Sequence, residues 1–221
     1  MDSPEVDSSH FIVLLGDIFD LMIGNHAEYI NSYSSFFAKL KALHLAGKRI
    51  AYFEGNHDLH LSELFRAHFP FIEVFTEPMV YEFHQKRIHF SHGDNFDLQN
   101  HSYQRYKKVL NSRFCKRLAN GIMSYDFIKK IGEYSSRRSR ERNYALKDGL
   151  KDKIQYSYRH NILQTMESSI NLVAFGHSHF VENEQISKEG KNFHLLNNGF
   201  FPSSNSFIYI TELEQKLISL S

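Results

Sequence analysis

The chain has 221 residues, of which 42% are hydrophobic and 23% are charged, an ordinary balance for a globular protein. The single cysteine, Cys115, excludes an internal disulfide framework and cysteine-rich zinc sites, and it suits a reducing compartment. No apolar run reaches about 18 residues, so no membrane-spanning helix is expected. Residues 1–10 are acidic and polar, unlike a signal peptide.

The net charge of +1 hides a strong asymmetry along the chain. Residues 105–160 hold 16 Lys or Arg against 5 Asp or Glu, whereas the rest of the chain holds 10 basic and 20 acidic residues. A basic segment in an otherwise acidic chain indicates an anionic partner. A solvated helical surface explains such a run equally well.

Short apolar runs alternate with helical stretches, which predicts an α/β fold. Three predicted strands run into a glycine: 11–15 before Gly16, 49–53 before Gly55, and 171–175 before Gly176. A helix is predicted over 27–46, ending at Gly47. A hairpin is predicted over 80–83 and 87–91, and two late strands over 194–197 and 206–210.

Residues 100–166 have a different pattern, in which apolar residues recur at helical spacing. The pattern predicts two to four amphipathic helices inserted between strands of the sheet. Such stripes are usually core. Because the same stretch is also the basic segment, we expect it to form a cap that offers apolar and cationic groups together. The residues that carry the pattern are Tyr103, Tyr106, Leu110, Phe114, Leu118, Phe127, Ile131, Tyr134, Leu150, Ile154, Tyr158 and Ile162.

Four strand-end loops combine a glycine with polar side chains. Side chains just past strand ends converge at one edge of an α/β sheet, where ligands commonly bind. Each loop alone is a weak signal, because a turn aspartate or a loop histidine is usually structural. The ordered set of four is specific. The loops are Gly16-Asp17-Ile18-Phe19-Asp20, Gly55-Asn56-His57-Asp58, Ser91-His92-Gly93-Asp94 and Gly176-His177-Ser178-His179.

Carboxylate, amide and imidazole groups suit Mn²⁺, Fe or Zn²⁺, and the lack of thiolates argues against a structural zinc site. Two such ions about 3.5–4 Å apart can bind a phosphate and activate water. Asp17 is the predicted bridging ligand. Asn56, His92 and His177 are predicted to complete one ion, and His179 to bind the other.

Three further residues of these loops have predicted roles. His57 is positioned to protonate a leaving oxygen or to stabilise the transition state. Asp58 and Asp94 are predicted to orient neighbouring imidazoles behind the ligands. Ordinary turn carboxylates explain these two aspartates equally well.

The ordered motifs Gly-Asp, Gly-Asn-His-Asp, His-Gly-Asp and Gly-His-Ser-His resemble those of the calcineurin-like metallophosphoesterases. The resemblance covers roughly residues 11–95 and 170–210. It implies a four-layer α/β/β/α sandwich, a single domain over 1–221 with a helical insertion over 100–166, and two divalent metal ions of which Mn²⁺ is the expected kind. It also implies hydrolysis of a phosphate ester or anhydride.

Within that superfamily the chain is most similar to the UDP-2,3-diacylglucosamine hydrolases of lipid A biosynthesis. The stretch from Leu15 to Gly24 resembles that family's second motif, and the insertion occupies the same position. Ser139, Asn143 and, one residue late, Lys147 resemble the family's substrate-binding stretch, with Arg138, Arg140 and Asn100 as further candidates. The resemblance implies cleavage of a UDP-linked diacylated sugar to UMP and the acylated sugar 1-phosphate. It also implies a cytoplasmic protein, peripheral on the inner face of the cell membrane.

Some features depart from the family pattern. The superfamily's first motif, Asp-x-His, is absent upstream of Asp17, and Asp7-Ser8-Ser9-His10 does not match it. Our interpretation is a truncated gene model in which Met1 is an internal methionine; the alternative is one incomplete metal site. His57 stands where many of the hydrolases have arginine, and Gln99-Asn100 replaces an Asp-Asp pair. These substitutions concern the substrate, not the reaction class.

Alternative functions follow from these departures. One is a calcineurin-like phosphoesterase that acts on nucleotides, phosphoproteins or another lipid. A second is a degenerate relative that binds an anionic lipid or nucleotide without turning it over. Nucleic acid is disfavoured as a partner, because the aromatic residues of the basic segment fall on helical stripes. The sequence carries no signal for the oligomeric state.

Overall fold

A computed structural model describes residues 3–132, 134 and 148–220, without the side chains of Asp148 and Lys188. The chain forms two compact units, Met1–Thr76 with Arg105–Arg142 and Glu77–Gln104 with Asn143–Ser221. Each unit has one larger sheet, one two-stranded sheet and its own buried core. The predicted mixed α/β fold class is confirmed.

The helices and strands alternate through most of the chain. In order they are α1 Pro4–Ser8, β1 Phe11–Leu14, β2 Met22–Ile23, α2 Glu28–Ser32, α3 Ser34–Leu45, β3 Arg49–Phe53, β4 Asp58–Leu59, α4 Ser62–His68, β5 Ile72–Phe75, β6 Met79–Phe83, β7 Lys86–Phe90, α5 His101–Leu110, α6 Arg113–Gly121, α7 125–132, α8 Lys151–Thr165, β8 Leu172–Ala174, β9 Val181–Lys188, β10 Lys191–Asn198, α9 Phe201–Ser204, β11 Ser206–Ile210 and β12 Gln215–Ser219. Short 3₁₀ helices cover Asp94–Phe96 and Asp148–Leu150.

The larger sheet of the first unit is parallel, in the order β1-β3-β5, and β2 and β4 form the two-stranded sheet. Val13 pairs with Ala51, and Ala51 pairs with Glu73. Because β1 and β3 run in the same direction, the loops that follow them leave the same edge of this sheet. The core below it is rich in aromatic rings, with Phe37 and Phe69 stacked at 4.2 Å between centroids.

The predicted helix over 27–46 is divided in two. Tyr33 lies between α2 and α3 with φ −119° and ψ 32°, which no α-helix accommodates. The apolar spacing continues across the break, so the sequence pattern does not reveal it. Phe37, Leu40 and Leu43 are the buried residues of α3 and cover the sheet of the first unit.

The larger sheet of the second unit has the order β6-β7-β8-β10-β9, and β11 and β12 form its two-stranded sheet. β6 and β7 form the predicted antiparallel hairpin, β8 is parallel to both β7 and β10, and β9 is antiparallel to β10. Ile88 pairs with Leu172 and Phe90 with Ala174, so the loops after β7 and β8 lie side by side. Helix α8 covers a core that includes Tyr158, which is 2% exposed.

The predicted insertion, 100–166, is helical where it is described, with α5 to α8 inside these bounds. Residues 133 and 135–147 lie outside the described residues. Arg138, Ser139, Arg140, Asn143 and Lys147 are among them, so these five predicted substrate residues remain predictions. In the described part of the chain, no helix is both long and apolar enough to cross a membrane.

Candidate metal and phosphate site

Asp17 follows β1 in a turn with left-handed backbone. Gly16 has φ 83° and Asp17 has φ 52°, a conformation that costs a non-glycine residue energy and is kept only where neighbours enforce it. The backbone N–H of His57 donates to Asp17 Oδ1 at 2.8 Å. Gly55 leaves room for this carboxylate, since a Cβ at that position would lie 2.2 Å from Asp17 Oδ1.

Asp58 joins the loops after β1 and β3. Its side chain accepts from the backbone N–H of Ile18 at 2.8 Å and of Gly55 at 2.6 Å, and from the Tyr52 hydroxyl at 2.5 Å. Asp58 is fully buried. Burial, and then the Asp58 charge, raise the pKa of Tyr52 well above its ordinary value, so that hydroxyl stays a donor. Asp58 therefore holds the backbone of both loops, and its predicted role in orienting an imidazole stays a prediction.

His57 is held on two sides by the segment that follows Asp17. Its Nδ1 lies 2.8 Å from the carbonyl oxygen of Asp20, and its own carbonyl accepts from Met22 N–H at 2.8 Å. Because a carbonyl oxygen only accepts, Nδ1 must carry the hydrogen. That tautomer leaves Nε2 as the ring atom that can exchange a proton with a ligand.

His92 and His177 meet in the second unit. His92 Nε2 lies 3.1 Å from His177 Nδ1, and His92 is only 5% exposed. The backbone brings the loops together, because Gly176 N–H donates to the His92 carbonyl at 2.8 Å. Gly93 has φ 108°, and a Cβ there would lie 2.9 Å from the Gly176 oxygen. The close approach of Gly93 to Gly176 lets the two loops lie together, so one nitrogen of each imidazole faces the other ring.

A polar layer lies behind this histidine pair. Tyr103, in the first turn of α5, packs its ring 4.9 Å from that of His177 and donates its hydroxyl to Asp94 at 2.9 Å. Gln104 Nε2 donates to the carbonyls of Asp94 and Asp97. Asp94 therefore anchors α5 to the His-Gly-Asp turn.

Asp97 is a site residue that the sequence prediction missed. Its Oδ2 lies 3.9 Å from His177 Nε2, on the opposite side of the ring from His92. Burial raises the pKa of Asp97, although its hydrogen bond from Asn100 opposes the shift. In the sequence, Asp97 was visible only as a second carboxylate three residues after Asp94, and this spacing matches no motif that predicts a site. Asn100, predicted to bind substrate, also accepts from Tyr103 N–H at 3.2 Å and so helps to begin α5.

The Gly176–His179 turn is held by a residue far along the chain. His177 and His179 both have left-handed backbone, with φ 59° and 63°. Asn197, fully buried on β10, donates to the Gly176 carbonyl at 2.9 Å and to Ser178 Oγ at 3.0 Å. The only trace of Asn197 in the sequence was a polar residue at the end of a predicted strand.

The donor groups fit a divalent metal. The second unit offers imidazole nitrogens from His92 and His177, and the first offers the Asp17 carboxylate, all of which Mn²⁺, Fe and Zn²⁺ accept. A family model described as calcineurin-like phosphoesterase matches residues 3–181. The chain belongs to the calcineurin-like phosphoesterases. The predicted family and enzyme class are confirmed, and membership implies divalent metal ions and hydrolysis of phosphoester bonds.

Among curated relatives of this calcineurin-like phosphoesterase are proteins named UDP-2,3-diacylglucosamine hydrolase. The one from Proteus mirabilis is 32% identical over 108 residues, which is 48% of this chain and 44% of that protein. The one from Photorhabdus laumondii is 24% identical over 225 residues, 99% of this chain and 87% of that protein. A solved archaeal phosphodiesterase covers 95% of this chain and 99% of its own at 11% identity and TM-score 0.38, too distant a likeness to bear on substrate.

Proposed function

We propose that this phosphoesterase hydrolyses the pyrophosphate bond of UDP-2,3-diacylglucosamine to UMP and 2,3-diacylglucosamine 1-phosphate, a step of lipid A biosynthesis. The observation that carries the proposal is that relatives aligning with up to 99% of the chain are all named UDP-2,3-diacylglucosamine hydrolase. The motif from Leu15 to Gly24 and the position of the helical insertion support the same assignment.

The metal centre we propose has Asp17 as a bridging ligand, Asn56, His92 and His177 on one ion, and His179 on the other, with Mn²⁺ as the ion. Bound ions of this kind neutralise phosphate charge and lower the pKa of a coordinated water. Support comes from the pairing of the buried His92 imidazole with the partly buried His177 imidazole, and from the hydrogen bond that fixes the Asp17 carboxylate. The Asp97 carboxylate lies 3.9 Å from His177 Nε2, on the side of the ring away from His92 and beyond hydrogen-bond range.

His57 is the proposed proton donor to the leaving oxygen. The Asp20 carbonyl holds Nδ1–H, so a proton delivered by the ring must come from Nε2. Giving up that proton leaves the neutral ring with its remaining hydrogen on Nδ1, where the Asp20 carbonyl accepts it. Removing the ring should therefore slow the chemical step more than it weakens substrate binding.

The helical insertion is the proposed site for the acyl chains and for contact with the inner membrane surface. Phe127 and Ile131 of α7 are 54% and 43% exposed. Lys129 and Lys130 lie between them in the sequence, so the helix offers apolar and cationic groups together, as anionic lipids require. Ile128 is 1% exposed, so it does not belong to this surface.

The test is hydrolysis with Mn²⁺ of two substrates, UDP-2,3-diacylglucosamine and a small aryl phosphodiester. The expected result is release of UMP from the first, abolished by EDTA and by Asp17→Ala. Activity on the aryl diester alone would assign the chain to another substrate of the same family. Binding of the nucleotide sugar without product release would identify a non-catalytic relative, and full activity of Asp17→Ala would refute the metal assignment.

A further inference from the structure

Phe200 covers one face of His179. The two rings are nearly parallel, with 18° between their planes and 5.1 Å between their centroids. The backbone of the same residue also contacts His179, because Phe200 N–H donates to the His179 carbonyl at 3.3 Å. Both the ring and the strained backbone of His179 are therefore held by one residue that lies 21 positions later in the chain.

The β9–β10 hairpin explains how Phe200 reaches this position. Val181 pairs with Asn198, so the chain returns beside the Gly176–His179 turn as β10 ends. Gly199 then reverses the backbone with φ 73°, and its N–H donates to Asn197 Oδ1 at 2.8 Å. A Cβ at Gly199 would lie 2.8 Å from Val181 Cγ2, so the reversal is closely packed against the start of β9.

Stacking is a suitable way to orient a metal-binding imidazole. A hydrogen bond to the ring occupies one of its two nitrogens, whereas a stacked ring contacts only the face. The lone pair that binds a metal lies in the ring plane, so face-on contact limits ring rotation without competing for it. Rotation matters here because the backbone of His179, with φ 63°, gives the side chain an unusual starting direction.

We propose that Phe200 is a positioning residue that holds the His179 ring in the orientation needed to bind a divalent ion. The inference rests on the proposed function, in which His179 is a metal ligand. Asn197 supports the same arrangement, because its side chain hydrogen-bonds the Gly176 carbonyl, Ser178 Oγ and the Gly199 N–H. Removing the aromatic ring frees the His179 side chain to rotate and so weakens metal binding at that position.

Calorimetric titration of the metal-free protein with Mn²⁺ tests this inference without relying on turnover. The variants are Phe200→Ala, Phe200→Leu, Phe200→Tyr and His179→Ala, with Phe201→Ala as the matched control because Phe201 is the adjacent, more exposed phenylalanine. We expect Phe200→Ala and Phe200→Leu to weaken the His179-dependent binding step about tenfold. Phe200→Tyr, which keeps the flat ring, and Phe201→Ala should stay within about twofold of the wild type, since neither change removes the contact on the His179 face.

The outcomes separate the two proposals. Wild-type Mn²⁺ affinity in Phe200→Ala, together with a lost binding step in His179→Ala, overturns the positioning role alone. A wild-type protein without any His179-dependent step overturns the metal assignment of His179 and this inference with it. Thermal unfolding of each variant checks the fold, and if Phe200→Ala does not unfold cooperatively, Phe200→Leu carries the comparison.

Discussion

Gly55→Ala is a one-carbon change that displaces the Asp17 carboxylate. The new Cβ would lie 2.2 Å from Asp17 Oδ1 and 2.6 Å from Asp17 N, well inside van der Waals contact. Since an ordinary contact is about 3.4 Å or longer, the carboxylate must move by roughly 1 Å. Misplacement of a reacting group by that distance costs on the order of 100-fold in rate. We therefore expect kcat/KM to fall about 100-fold, with Mn²⁺ binding weakened as well.

Gly121→Ala is the matched control for this substitution. Gly121 ends α6 in the same unit, and a Cβ there meets nothing within 4 Å. This substitution should leave kcat/KM unchanged and leave the free energy of unfolding the same or slightly higher. The assay is Mn²⁺-dependent phosphodiester hydrolysis, with urea unfolding to separate a misplaced ligand from a poorly folded protein.

Three outcomes of the glycine comparison differ in meaning. Loss of activity in Gly55→Ala, with at most a modest loss of stability, supports a steric effect on Asp17. Equal activity in both variants would refute the geometry argued for this turn. Equal loss in both would mean that the protein tolerates no added methyl group, and the assignment of the effect to Asp17 would fail.

Other predictions concern buried charge and the surface of α7. Burial lowers the pKa of His89 to about 4, below its ordinary 6.5, so the folded state resists protonation and stability falls as pH drops from about 6.5 towards 4. The loss should reach roughly 3 kcal/mol in urea unfolding and disappear in His89→Leu. Arg159→Met should lower the free energy of unfolding by about 3 kcal/mol, because it leaves Glu182, which is 2% exposed and bonds Arg159 at 2.8 Å, without this partner. Adding Glu182→Leu should restore most of the lost stability, and no recovery would contradict the pairing. Phe127→Ser with Ile131→Ser should raise KM for the diacylated substrate and not for an aryl diester, and equal changes would argue against an acyl-chain surface on α7.

The sequence anticipated the loops of the site because their signal is local. An apolar run that stops at a glycine predicts a strand end, and the strands before Asp17, Asn56, His92 and His177 are all present. The predicted strand over 49–53 coincides with β3. Strand β9 was missed because its residues are mostly polar. Its antiparallel pairing with β10 therefore could not be predicted from apolar residues.

What the sequence by itself determined is the set of chemical groups and the fold class. Residue types and the order of the motifs were sufficient, because strand-end loops and metal ligands depend on short stretches of chain. Only the tertiary structure decided which distant residues support those groups. Asp58 holds two loops by their backbone, Asp97 lies behind His177, and Phe200 stacks on His179. Such contacts depend on strand register and on left-handed turns, which bring together residues that share no local pattern.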